Sequence, residues 1–284
     1  MGSLVTAGRT VEIKYGNLDT DFRILNEHIF LRLLADLRIA RQPLYVSSSV
    51  QGMYVQGRFS VSEIAGQTLF SYVETRNPSA VRILELAVEA LDLIETMHRN
   101  GVVHGDLTEF AIRFDLSGSR LILTEFEYAN FFPDKMDENR TFPPGSILED
   151  RHEAIALSFL SPWELQGPLR VTRRDDMFHW IEIFARMLLK RQFWEIQSRE
   201  CQQDDAMCLI NFKQFYPYFT HNGPQESRIW NRLRSDQRQE VKQNLNSILD
   251  IIRLADMDDE PSYAAIRHHL SRALEIARTA SNHK

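Results

Sequence analysis

Three short stretches of this sequence carry side chains able to do chemistry. The first is His98-Arg99-Asn100-Gly101-Val102-Val103-His104-Gly105-Asp106-Leu107. Its Asp106 is a candidate general base, because a carboxylate can accept a proton from a hydroxyl or amine held beside it. The second is Leu123-Thr124-Glu125-Phe126-Glu127-Tyr128-Ala129, whose two glutamates offer hard oxygens to a metal or a cation. The third is Val11-Glu12-Ile13-Lys14, an ammonium within an extended apolar stretch. His104 stands two residues before Asp106. Cys201 and Cys208 do not form a metal-spacing pair. Seven apart, they share a helical face, so core packing and a reducing compartment are expected.

These groups must be held by the elements around them. Residues 3–15 read as extended, and residues 20–38 as a helix with Phe22, Leu25, Ile29, Leu33 and Leu37 at helical spacing. Strand-like pieces follow at 44–55 and 58–64, and Gly66 and Gln67 break the pattern. Residues 79–99 form an amphipathic helix with Ile83, Leu84, Ala87, Leu91, Ile94 and Met97 on its apolar face. A loop at 101–111 precedes two strand-like pieces, Ile112–Phe114 and Leu121–Phe126, joined through Ser117-Gly118. Residues 130–160, with Pro133, Pro143 and Pro144, read as one long loop. The remainder reads as helix over 176–190, 195–212, 226–254 and 261–280. A strand-rich part followed by a helix-rich part is an α+β order.

In this order the segments resemble a protein kinase. His98–Leu107 is similar to the catalytic loop H-R-D-L-x-x-x-N, with Gly105 replacing Arg as in the aminoglycoside phosphotransferase and choline kinase branch. Glu125-Phe126-Glu127 resembles the D-F-G motif in its D-F-E form, and Ser161-Pro162-Trp163-Glu164 resembles A-P-E. Val11–Lys14 resembles V-A-I-K, Glu27 stands as the partner of Lys14, and Ser62-Glu63-Ile64 looks like the hinge with Ser62 as gatekeeper. Leu254–Tyr263 is similar to the corresponding helix of casein-kinase-like proteins. The resemblance implies a two-lobed protein-kinase-like fold, with a reduced N-lobe and hinge over 1–75 and a helical C-lobe over 76–284. It implies Asp106 as catalytic base, and Lys14, Glu27 and Glu63 as nucleotide-binding positions. Glu125 takes the metal position, and Asp176 braces the catalytic-loop backbone.

Three parts depart from that pattern. The metal-binding Asn belongs five residues after Asp106, where Ala111 stands, and a methyl group cannot ligate magnesium. Glu125 is one methylene longer than the Asp it replaces. No G-x-G-x-x-G precedes Lys14 in this sequence, so the phosphate-covering loop is missing from it. Thr108 also replaces a Lys common in kinases, a change the choline kinase branch tolerates.

If the resemblance holds, Asp106, Glu109, Glu125 and Glu127 gather at an acidic interlobe cleft. Without magnesium that cluster repels ATP phosphates and suits a guanidinium or ammonium group. Two classes of function follow. One is a pseudokinase, a module that binds a protein partner. The other is a transferase, in which Asp106 activates a small cationic substrate held by Glu109, Glu125 and Glu127. A divergent kinase that uses Glu125 as its one metal ligand is the alternative, and only there is magnesium-ATP the cofactor; otherwise no cofactor is expected. Aminoacyl transfer from a charged tRNA, as in cyclodipeptide synthases, also fits a lidless acidic cleft. A net charge of −6 over 284 residues argues against other nucleic-acid binding. No apolar run reaches membrane-spanning length, and no secretory h-region opens the sequence, so a cytoplasmic protein without membrane contact is expected.

Overall fold

Two residue periodicities, two for strand and 3.6 for helix, divide the chain much as its motifs require. The computed structural model describes residues 2–6, 9–17, 21–47, 50–51, 56–131, 160–166, 171–189, 206–216, 218–219, 233–256 and 259–282. Contacts sort the chain into two compact units, Met1–Ser71 with Thr96–Ile147, and Tyr72–Glu95 with Leu148–Lys284. The chain leaves the first unit after Ser71 and re-enters it at Thr96. Backbone bonds explain the return: Leu123 N donates to Ile39 O, Gly66 N to Phe114 O and Phe114 N to Gln67 O.

The first unit holds an antiparallel sheet of β1 (Gly2–Thr6), β2 (Arg9–Asn17), β3 (Pro43–Val46), β4 (Val50–Gln51) and β5 (Gln56–Glu63). Its order is β1-β2-β5-β3, with β4 also pairing β5. Register places Glu12 opposite Ser62 and Lys14 opposite Ser60. Directly paired residues share a face, so these four side chains project together, and all four are buried. Helix α1 (Asp21–Ala35) packs on β2, β3 and β5.

The face that α1 buries differs from the one its apolar spacing suggests. Ile24, Glu27, Leu31 and Leu34 are buried, whereas Leu33 and Leu37 are 43% and 39% exposed. That face carries its own apolar series, Ile24, Leu31, Leu34 and Ala35, and Glu27 lies among them to meet Lys14.

The same unit contains β6 (Val102–Val103) paired with β9 (Asn130–Phe131), and β7 (Ile112–Phe114) paired with β8 (Leu121–Leu123). The β7–β8 turn closes on Asp115, whose carboxylate accepts from Ser117 Oγ at 2.8 Å and Ser119 N at 2.9 Å. Gly118 takes the left-handed conformation there, at φ +73°.

Helix α2 (Leu69–Arg76) was not anticipated from periodicity. Its signal is a cap: Thr68 Oγ1 accepts from Ser71 N at 3.1 Å. Helix α3 (Ala80–Arg99) buries the whole apolar face expected of it.

The second unit contains α4 (Arg173–Leu189), α5 (Ala206–Phe215), α6 (Ser235–Leu254) and α7 (Tyr263–Asn282). Helix α6 packs on both α4 and α7. Helix α4 is buried nearly all round, as a central helix must be. Trp180 is fully buried and donates to Ala87 O at 3.2 Å. Glu182 and Lys213 form a buried pair at 3.0 Å, and Lys213 Nζ also donates to Leu160 O at 2.8 Å.

Cys208 is disulfide-bonded, contrary to the expectation of reduced, core-packed cysteines; Cys201 lies outside the described residues. The loop expected at 130–160, with its three prolines, also falls largely outside them, over 132–159. Among the described residues no helix is long and apolar enough to cross a membrane.

Candidate functional site

Lys14 projects from β2 beneath α1 and is 4% exposed. Its Nζ lies 3.0 Å from both oxygens of Glu27, 2.5 Å from Glu125 Oε2 and 3.1 Å from Glu127 Oε1. An ammonium has three N–H groups, and here three carboxylates take them. Burial alone would push the Lys14 ammonium down, but Glu27, Glu125 and Glu127 outweigh it and hold its pKa above the ordinary lysine value. Burial likewise opposes the Glu125 carboxylate, yet the Lys14 charge and hydrogen bond win and hold its pKa below the usual range.

A second cation extends the cluster. Arg41 Nη2 meets Glu27 Oε1 at 3.0 Å and Nη1 meets Glu12 Oε2 at 2.8 Å. Glu12, Arg41, Glu27, Lys14, Glu125 and Glu127 thus form one chain of ion pairs. Four carboxylates face two cations, which leaves an acidic excess at the Glu125 and Glu127 end, where the side chains are 23% and 28% exposed. Arg113 of β7 adds positive charge from below; its field also lowers Glu125, and its Nε donates to Gly66 O at 3.1 Å.

The segment that carries Glu125 and Glu127 is fixed by strain and by an anchor. Glu125 sits at φ 65°, ψ 47°, a left-handed conformation that costs a non-glycine residue roughly 1–3 kcal/mol. A 3₁₀ turn over Phe126–Tyr128 follows it. Asn26, the neighbour of Glu27 on α1, donates from Nδ2 to Glu127 O at 3.0 Å and Ala129 O at 2.9 Å. One turn of α1 therefore supplies both the carboxylate and the amide that hold this segment against Lys14.

The loop bearing Asp106 reaches the same segment through His104. Asp106 N donates to His104 Nδ1 at 3.3 Å, which leaves Nε2 to carry the proton donated to Thr124 O at 2.8 Å. The fully buried ring also lies 4.8 Å from that of Phe126. His104 thus acts as a strut between the loop and the residue preceding Glu125. Gly105 stands at φ +79° with Tyr128 O 2.4 Å from where a Cβ would be. No side chain fits there, which accounts for glycine in place of arginine.

Asp106 itself is half-buried on this loop. Ala111 is fully buried, and its carbonyl accepts from Thr124 N at 2.9 Å and Thr124 Oγ1 at 3.1 Å. A methyl group therefore stands one hydrogen-bonded step from Glu125. Glu109 is buried, and its carbonyl accepts from Phe70 N at 3.4 Å.

Lys14, Glu27, Glu125 and Glu127 are thus brought together, with Asp106 joined to them through His104 and Thr124. Glu63 is not brought to Lys14: it pairs with Val11, is exposed, and alternates to the sheet face opposite Ser60 and Ser62. Asp176 is fully buried in α4 of the second unit. In that unit Glu164 accepts from Ser161 N at 2.6 Å and faces His179 Nε2 at 3.0 Å. Sequence reasoning missed Glu12, Asn26, Arg41 and Arg113. The one local signal was the i, i+2 spacing of Glu12 and Lys14, which puts two charges on one strand face.

No protein-family model matches the chain. Over 285 residues it is 22% identical to a "probable casein kinase I homolog" of Encephalitozoon cuniculi, a match spanning 96% of this chain and 83% of that protein. With the element order above, this likeness makes the fold α+β and protein-kinase-like, a small sheet-bearing part preceding a helical one.

Proposed function

We propose that this chain is a kinase-fold binding module rather than a conventional ATP phosphotransferase. The observation that carries the reading is the state of Lys14. Its three donors are spent on Glu27, Glu125 and Glu127, so a phosphate would have to displace a carboxylate and then sit among the remaining ones.

The residues present do not fit magnesium-ATP. Ala111 offers no ligand, and Glu125 is engaged by an ammonium at 2.5 Å. Isothermal calorimetry with ATP and magnesium is expected to give no measurable heat at millimolar ligand. A dissociation constant of about 10 μM or tighter would sink the reading and favour the divergent kinase. That alternative draws on the kinase named among the chain's relatives and on the intact Lys14–Glu27 pair.

A transferase acting on a small cation keeps one specific support, the acidic excess at Glu125 and Glu127. There Asp106 is the base, and Glu109, Glu125 and Glu127 hold the cation, which competes with Lys14. Asp106→Asn separates the two classes. A binding module keeps its partner and its melting temperature. A transferase loses on the order of 10²–10⁴ in rate while staying folded. Assay of the folded variant for biosynthetic output beside partner capture decides between them.

A further inference from the structure

A cavity of about 850 Å³ lies within the first unit, walled by the end of α1, the segment 40–44, the end of β5 and the β7–β8 turn. That size suits a drug-sized small molecule. Much of its wall is apolar, with Val11, Ala35, Leu44, Ile64, Leu116 and Ile122. Three arginines, Arg38, Arg41 and Arg120, also line it.

Their states differ. Arg120 is exposed and reaches Asp115 at 3.4 Å, and its Nη1 donates to Arg38 O at 2.8 Å. The exposed Arg38 guanidinium makes no bond or ion pair among the described residues, and its backbone is held at φ 59°. Arg41 is 4% exposed; its Nη atoms serve Glu12 and Glu27, but its buried Nε finds no acceptor among the described residues.

Two carboxylates oppose these charges. Asp115 is occupied by Ser117, Ser119 and Arg120. Glu63 lines the same cavity and is exposed. An apolar wall with the unpaired Arg38 guanidinium at its rim selects an apolar body carrying one anionic group.

We infer that this cavity is a binding site for a small amphipathic anion, an aromatic or aliphatic carboxylate or sulfonate. The anionic group pairs with Arg38, and the body packs on Leu44, Ile64 and Leu116. The site is separate from the Lys14 centre and does not depend on the function read there, although Arg41 belongs to both.

The test uses two fluorescent probes that differ in charge, anilinonaphthalene sulfonate and neutral N-phenylnaphthylamine. Titration of the full chain is expected to show one saturable sulfonate site. Arg38→Ala should weaken the sulfonate roughly tenfold and leave the neutral probe unchanged, the effect of one part-exposed charge. Glu63→Gln should tighten the sulfonate, and Gln42→Trp, at an exposed rim position, should block both probes. Arg38→Lys should restore most sulfonate binding, with melting temperatures as the fold control. Absence of saturable binding overturns the inference. So does sulfonate binding that Arg38→Ala and Gln42→Trp leave untouched, because the probe then sits elsewhere.

Discussion

Lys14→Met is expected to lower the melting temperature by roughly 10 °C. The substitution keeps a side chain of similar length and removes the one charge that Glu27, Glu125 and Glu127 share. Breaking a buried pair from one side costs about 3–5 kcal/mol; the low end applies, because Arg41 still meets Glu27, and Glu125 and Glu127 reach solvent. In a chain of this size each kcal/mol moves the midpoint by about 2–4 °C. The pH dependence carries a second signature. The depressed pKa of Glu125 adds stability that is present above the unfolded carboxylate value near 4.3 and lost as pH falls through its folded value. The raised pKa of Lys14 adds stability that is present below the unfolded lysine value, so it is complete across pH 5–8. Without Lys14 the carboxylates repel one another, and protonation relieves them. The gap between wild type and Lys14→Met is therefore expected to narrow as pH drops from 7 toward 4, measured by thermal unfolding at each pH. An unchanged melting temperature would mean that Lys14 is not the knot of this cluster.

Gly105→Ala is expected to cost about 3 kcal/mol or more, well above what a glycine-to-alanine change costs at an open left-handed position. Two effects add. The backbone is at φ +79°, and the new Cβ would meet Tyr128 O at 2.4 Å, a backbone atom held in place by the turn over Phe126–Tyr128 and by Asn26. Gly118→Ala is the control. At φ +73° with nothing within 4 Å of its Cβ, it should cost only the conformational term, about 1–2 kcal/mol. Urea denaturation of both variants isolates the steric part by difference. Equal costs at the two positions would refute the contact with Tyr128. Gly105→Arg, which would recreate the H-R-D form, should be at least as damaging as alanine. The glycine is thus tied to how closely the 104–106 loop approaches the Glu125 segment.

How much of this was legible beforehand depends on the range of the interaction. Helix α3 was, because Ile83, Leu84, Ala87, Leu91, Ile94 and Met97 repeat at 3.6 residues and the same spacing decides their burial. The β7–β8 hairpin was, because Ser117-Gly118 is a local turn signal. The motif order placed Lys14, Glu27, Asp106 and Glu125 in one site, and the first unit holds all four. The face of α1 was not legible. Two apolar series share helical spacing there, Phe22, Leu25, Ile29 and Leu33 on one side and Ile24, Leu31, Leu34 and Ala35 on the other, and local spacing does not choose between them.

The occupant of the acidic cluster was equally hidden. The sequence set Glu125 and Glu127 two residues apart and left their cation open. The fold supplies Lys14, 111 residues from Glu125, as that cation, and inserts Arg41 between Glu12 and Glu27. Local patterning determines which segments become helix or strand, because those choices rest on neighbours within a turn or a pleat. Which buried charges meet is decided only in the tertiary structure, because removing a charge from water is so costly that the chain must bring it a partner from wherever the fold allows.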